Sequence, residues 1–172
     1  YATILTEPGR FRMYYASWYG HRLKPADPAQ QFTGYCESRD GITWVRPKLG
    51  RISFDGNKQN NILPVESGKA LRQICHDPED EEAPFKMIHL GGGGIRGAIS
   101  KDGYHWTELD KPLISKPPAS DVQSLWFNKV DGRYIITYKT IHGRSRRAVC
   151  IAESEDFRSF SDSRLIIKAD LI

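Results

Sequence analysis

A seven-residue pattern, Ser-x-Asp-x-x-x-aromatic, occurs three times in this chain of 172 residues and constrains its fold more than any other feature. The copies run from Ser38 to Trp44, from Ser100 to Trp106 and from Ser154 to Phe160, with serines 62 and 54 positions apart. Recurrence at that period marks a repeat architecture, in which one supersecondary unit buries its apolar face against the next. Ahead of each copy runs a segment with apolar or aromatic residues at alternate positions: Phe11, Met13 and Tyr15; Phe85, Met87 and His89; Tyr134, Ile136 and Tyr138. Alternation of period two predicts strands. A turn precedes each (Pro8-Gly9, the stretch from Asp77-Pro78 to Pro84, and Asp131-Gly132), and before it lies another apolar strand at 2–5, 71–75 and 124–127. No segment sustains a 3.6-residue apolar period, so little or no helix is expected.

One unit therefore reads as strand, tight turn, strand, loop, strand, Ser-x-Asp turn and short edge strand. That order and length suit a four-stranded antiparallel blade of a β-propeller. The fold class is all-β, with about three blades over a single repeat domain, 1–172, in approximate units 1–50, 51–112 and 113–172. Three blades are fewer than the four to eight that close a propeller. The chain thus reads as part of a five-bladed ring, completed by flanking sequence or by self-association. The Ser-x-Asp elements have a local structural role. Serine and aspartate oxygens accept bonds from backbone amides just downstream, and Gly41 and Gly103 supply a permissive backbone.

Composition narrows the function classes. A net charge of +4 from 25 basic and 21 acidic residues, with one short basic run at Arg144, Arg146 and Arg147, is too thin a footprint for nucleic-acid binding. No apolar run approaches a membrane span, and the N-terminus lacks a charged segment followed by an apolar stretch and a cleavage site. Cys36, Cys75 and Cys150 sit far apart in strand-like contexts and read as buried free thiols. Histidines 21, 76, 89, 105 and 142 lack ligand spacing, so neither a metal site nor a cofactor is expected. The glycine run 91–94 reads as a hairpin connection, because no helix pattern follows it to make a phosphate loop.

Several stretches together carry a family resemblance. Glu37 to Trp44, Pro47-Lys48-Leu49-Gly50, Phe54-Asp55-Gly56-Asn57 and Asn60-Asn61-Ile62-Leu63 form the first part. Asp121-x-Gln123, Gly132-Arg133-Tyr134, Arg146-Arg147 and Ala152 to Phe157 form the second. Over nearly the whole chain these resemble five-bladed propeller proteins similar to glycoside hydrolase families 32 and 43. The resemblance implies an oligo- or polysaccharide substrate at the axial end where the innermost strands begin. It also implies acids at those strand starts, and export to the periplasm or the cell exterior. Glycosidic cleavage needs two carboxylates flanking the bond, one to protonate the leaving oxygen and one to attack or to activate water.

Candidate residues follow from that placement. Asp121 runs from a proline-broken loop into an inner strand, and it reads either as a pocket acid or as a loop cap. Gln123, two residues on and on the same side, suits a sugar hydroxyl or a neighbouring strand. Glu66, near the start of the middle inner strand, is the second candidate carboxylate, with an exposed loop acid as the alternative. His76-Asp77-Pro78 follows its strand and is expected in a solvated outer turn. Asn60 and Asn61 line a pocket or hold a turn. Trp18, Tyr19, His21 and Arg22 form an aromatic and basic loop suited to stacking on sugar or to packing between blades. Arg147, beside Arg146, clamps an anionic sugar or sits on the surface.

Two functions compete on these residues. One is a glycoside hydrolase with paired carboxylates; the other is a non-catalytic propeller that binds glycans or a protein on its axial face. A sialidase-like reading ranks third, since the Ser-x-Asp turn is similar to an aspartate box but has its glycine one residue early.

Overall fold

The computed structural model describes residues 2–19, 30–64, 72–116, 118–142 and 146–168. They form three four-stranded sheets, each antiparallel and in chain order. The first holds β1 (Ala2–Glu7), β2 (Arg10–Tyr19), β3 (Gln30–Ser38) and β4 (Ile62–Leu63). The second holds β5 (Arg72–His76), β6 (Phe85–Gly91), β7 (Gly94–Ser100) and β8 (Thr107–Glu108). The third holds β9 (Gln123–Asn128), β10 (Arg133–His142), β11 (Arg146–Ser154) and β12 (Arg164–Lys168). Among the described residues there is no helix. The chain is all-β, three propeller-type blades in an open row.

Pairing registers carry the repeat down to single residues. Phe11 pairs with Ser38, Phe85 with Ser100 and Tyr134 with Ser154, so each Ser-x-Asp turn leaves its sheet opposite the first aromatic of the second strand. On the other side, Ala2 pairs with Tyr15, Arg72 with His89 and Gln123 with Tyr138. Ala2, Arg72 and Gln123 therefore occupy one equivalent position near the start of each first strand.

The first strands are the inner ones, since β5 packs against both β1 and β9. The middle sheet is buried on both faces. Ile74, Met87 and Ala98 meet Leu5, Tyr14 and Tyr35 of the first sheet, whereas Cys75, Ile88 and Ile95 meet Leu125, Ile136 and Cys150 of the third. Each such fully buried aliphatic side chain contributes roughly 1.5–3 kcal/mol relative to exposure. The three cysteines are buried free thiols, and burial pushes Cys75 up to about 12.

All three turns share one hydrogen-bond scheme. The serine hydroxyl donates to the aspartate Oδ1 (2.9, 3.2 and 2.9 Å), and that oxygen accepts the amides two and three residues on. Gly41 and Gly103 adopt φ of +74° and +78°, a region disfavoured for residues with a Cβ. In the third turn Phe157 takes the same place at φ +59°. Its ring is fully buried against Tyr134 and Phe160, and that burial offsets the backbone strain.

Three expectations change in the structure. The Asp77 side chain is buried instead of solvated, because it accepts a hydrogen bond from the Tyr134 hydroxyl of the next sheet while its own amide bonds Pro84. Trp18 and Tyr19 belong to β2, paired with Gln31 and Gln30, and do not begin a loop. The fourth strand of the first sheet lies at 62–63, past residue 50, because a long connection held by bonds such as Leu49 N to Asn60 O precedes it.

Candidate functional site

The starts of β1, β5 and β9 lie side by side, and the Thr3 hydroxyl accepts the Ile74 amide across the first pair at 3.4 Å. At the equivalent position of each blade the side chain differs: Ala2 in the first, Arg72 in the second and Gln123 in the third.

Arg72 is the charged centre of this end. Its Nε donates to Thr33 Oγ1 of the first sheet at 2.5 Å, and its side chain is buried beside Met87. Burial lowers the Arg72 guanidinium to about 10, opposed by the Glu108 carboxylate, so the group remains cationic at neutral pH. A cleft of about 280 Å³, lined by Phe32, Thr33, Ile62, Leu63 and Arg72 among others, opens between the first and second sheets here.

His89, cross-strand from Arg72, is fully buried and bonds Glu108 through Nε2, 2.9 Å from each carboxylate oxygen. Its Nδ1 lies 3.1 Å from the Leu90 carbonyl. The imidazole is thus held through both ring nitrogens, by β8 on one side and by its own strand on the other. Neither Arg72 nor Glu108 stood out in the sequence, and the only signal was the position of Arg72 at a strand start.

Asp121 precedes β9 by two residues and is exposed, with Oδ1 bound by Lys139 Nζ and by the Ser120 hydroxyl at 2.9 Å. The Lys139 bond, then the Ser120 bond, hold its carboxyl below the usual aspartate range. The loop is tied to β10 by Ser120 N to Lys139 O and Lys139 N to Val122 O, at 2.8 and 2.9 Å. Gln123 is buried; its Nε2 reaches the Ser120 carbonyl at 3.3 Å, and its Oε1 has no hydrogen-bond partner among the described residues.

Both asparagines hold the turn into β4. Asn60 Nδ2 donates to the Ile52 and Asn57 carbonyls, and its Oδ1 accepts the Ile62 amide. Asn61 Nδ2 donates to the Tyr15 hydroxyl and the Tyr35 carbonyl at 2.7 and 2.6 Å. Arg147 is exposed on β11, cross-strand from Ile141. Glu66, His21 and Arg22 lie outside the described residues. Arg72, Thr33, His89 and Glu108 are thus brought together, Asp121 and Gln123 form a second pair at the third sheet, and Asn60 and Asn61 belong to neither.

Three blades of this type with inner strands starting side by side define a segment of a β-propeller. Comparison with solved structures agrees on the fold. The chain superposes on BT0996 in its RGII complex with a TM-score of 0.58 at 16% identity, over 92% of this chain and 54% of that one. An N-acetylgalactosamine deacetylase from F. plautii, in complex with blood group B trisaccharide, gives 0.61 at 12%, over 92% and 50%. The β-1,2-mannobiose phosphorylase from Listeria innocua, in complex with β-1,2-mannobiose, gives 0.56 at 14%, over 96% and 58%. The chain spans about half the length of these neighbours. No family model and no curated protein matches it.

Proposed function

We propose that this chain is part of a carbohydrate-active propeller that cleaves glycosidic bonds at the end where its inner strands begin. The observation that carries the reading is the placement of Asp121 and Gln123 at the start of an inner strand, in a fold whose similar solved structures include two bound to a trisaccharide and a mannobiose. Asp121, held ionised by Lys139 and Ser120, suits the nucleophile, base or stabiliser role and not that of proton donor. Glu66 is the candidate acid. Gln123, buried beside Asp121 with Oε1 unpartnered among the described residues, is the candidate for orienting a sugar hydroxyl, and Trp18, His21 and Arg147 are further candidate contacts, whereas Asn60 and Asn61 hold the turn into β4. Chains that associate through their outer sheets would extend the row of inner strands around the axis.

Hydrolysis of a panel of oligosaccharides is the test. Turnover that falls at least 100-fold in Asp121→Asn, with far-ultraviolet circular dichroism unchanged, supports the assignment; full activity in that variant removes Asp121 from the mechanism. The second reading, a glycan-binding propeller without turnover, is favoured by the Lys139 ion pair, which engages the Asp121 carboxylate. Saturable binding with no hydrolysis across the panel would establish it.

A further inference from the structure

We infer that the outer faces of the first and third sheets are complementary, and that a second copy of this chain seats its third sheet on the first sheet, head to tail. The two internal interfaces show the rule. At the first, Arg12, the residue after the first aromatic of β2, stands over the Phe85 and Tyr104 rings at 4.8 and 5.2 Å and donates to the Asp102 carbonyl. At the second, Lys86, in the same register on β6, stands over the Tyr134 and Phe157 rings at 5.7 and 6.0 Å. Each blade thus receives one side chain of the preceding blade between its strand aromatic and its Ser-x-Asp turn.

The first sheet carries the same seat uncovered. Its elements are Phe11, Gly41 and Ile42, and Ile42 is 83% exposed, with Ile4 beside this face at 53%. A Cβ added at Gly103 would run into Arg12 and Tyr14 of the preceding blade, whereas at Gly41 the nearest atoms all belong to Phe11 of its own blade, 3.6–3.8 Å away. The space that a docked blade fills in the second sheet is open in the first.

The third sheet carries the matching insert. Ile135 holds the register of Arg12 and Lys86, opposite Glu153 as they are opposite Glu37 and Ile99, and its other cross-strand partner, Trp126, is 40% exposed. The chemistry follows the seat: Tyr104 with the Asp102 carbonyl receives a guanidinium, whereas Ile42 in place of Tyr104 faces Ile135. Two different surfaces meet, so the contact is heterologous and can propagate beyond a dimer. It does not depend on whether the chain cleaves sugar.

Sedimentation velocity across a concentration series tests this. The wild-type chain is expected to form dimers or larger species, and Ile42→Arg and Trp126→Arg each to give folded monomers by circular dichroism. An equimolar mixture of the two variants should recover a dimer and nothing larger, because one intact pair of faces remains. Val130→Lys, in the exposed turn between β9 and β10, should leave assembly unchanged. A monomeric wild-type chain, assembly that survives both arginine variants, or assembly lost only with Val130→Lys would overturn the inference.

Discussion

The guanidinium carbon of Arg12 stands 4.8 Å from the centroid of the Phe85 ring, so a buried cation of the first sheet stacks on an aromatic of the second. The same guanidinium pairs with Glu7 at 2.9 Å and caps the Asp102 carbonyl. Arg12→Ala is expected to cost about 3 kcal/mol, because it removes one partner of a buried pair and leaves the other desolvated. Arg12→Lys should cost less, since an amine serves at the equivalent position 86. Urea unfolding midpoints at constant m-value would measure both.

Gly41 and Gly103 separate backbone strain from steric space. Both have positive φ, so alanine at either should cost about 1 kcal/mol from conformation alone. At Gly103 the new methyl also meets Arg12 and Tyr14, and a loss of about 2–4 kcal/mol is expected there. Equal thermal shifts for the two variants would show that the first interface yields freely.

The turn aspartates make stability depend on acid pH. Burial opposes ionisation of Asp102, but the His105 amide and side chain and the Tyr104 amide outweigh it and hold the carboxyl well below its ordinary value. A depressed folded pKa contributes stability that is complete above the unfolded value of about 3.9 and is lost as pH falls through the folded value. The wild-type chain should therefore weaken below roughly pH 4. Asp102→Asn should be less stable at pH 7, by about 1 kcal/mol given its partial exposure, and should show a shallower acid limb in pH-dependent chemical denaturation.

The His89–Glu108 pair should behave as a coupled unit. His89→Gln and Glu108→Gln each strand a partner in a buried setting, and a double-mutant cycle should return a coupling of about 1–3 kcal/mol. Additive losses would mean that the two groups act separately despite their 2.9 Å bond.

How much of this was legible varies with the range of the interaction. Phe11, Phe85 and Tyr134 could be aligned from the chain alone, because strand alternation and the turn scheme act within a few residues of each other. The third turn shows the limit: Phe157 stands where glycine does in the other two, and its φ of +59° is explained only by the pocket of Tyr134 and Phe160 that buries its ring. Asp77 reads locally as part of an acidic loop, yet the Tyr134 hydroxyl, far along the chain, draws it inside. At the candidate site the position of Asp121 before an inner strand was readable, whereas its pairing with Lys139 was not, since that requires the hairpin to form.

The order of residues along the chain was enough to set the repeat, the four-strand unit and the turn that closes it, because each rests on contacts within a hairpin or within seven residues. Which polar groups are buried was decided by the packing of one sheet on the next. Arg12, Arg72, Lys86 and Asp77 are ordinary charged residues in an isolated strand or turn. They become interior because a neighbouring sheet brings the rings, carbonyls and hydroxyls that make their desolvation tolerable.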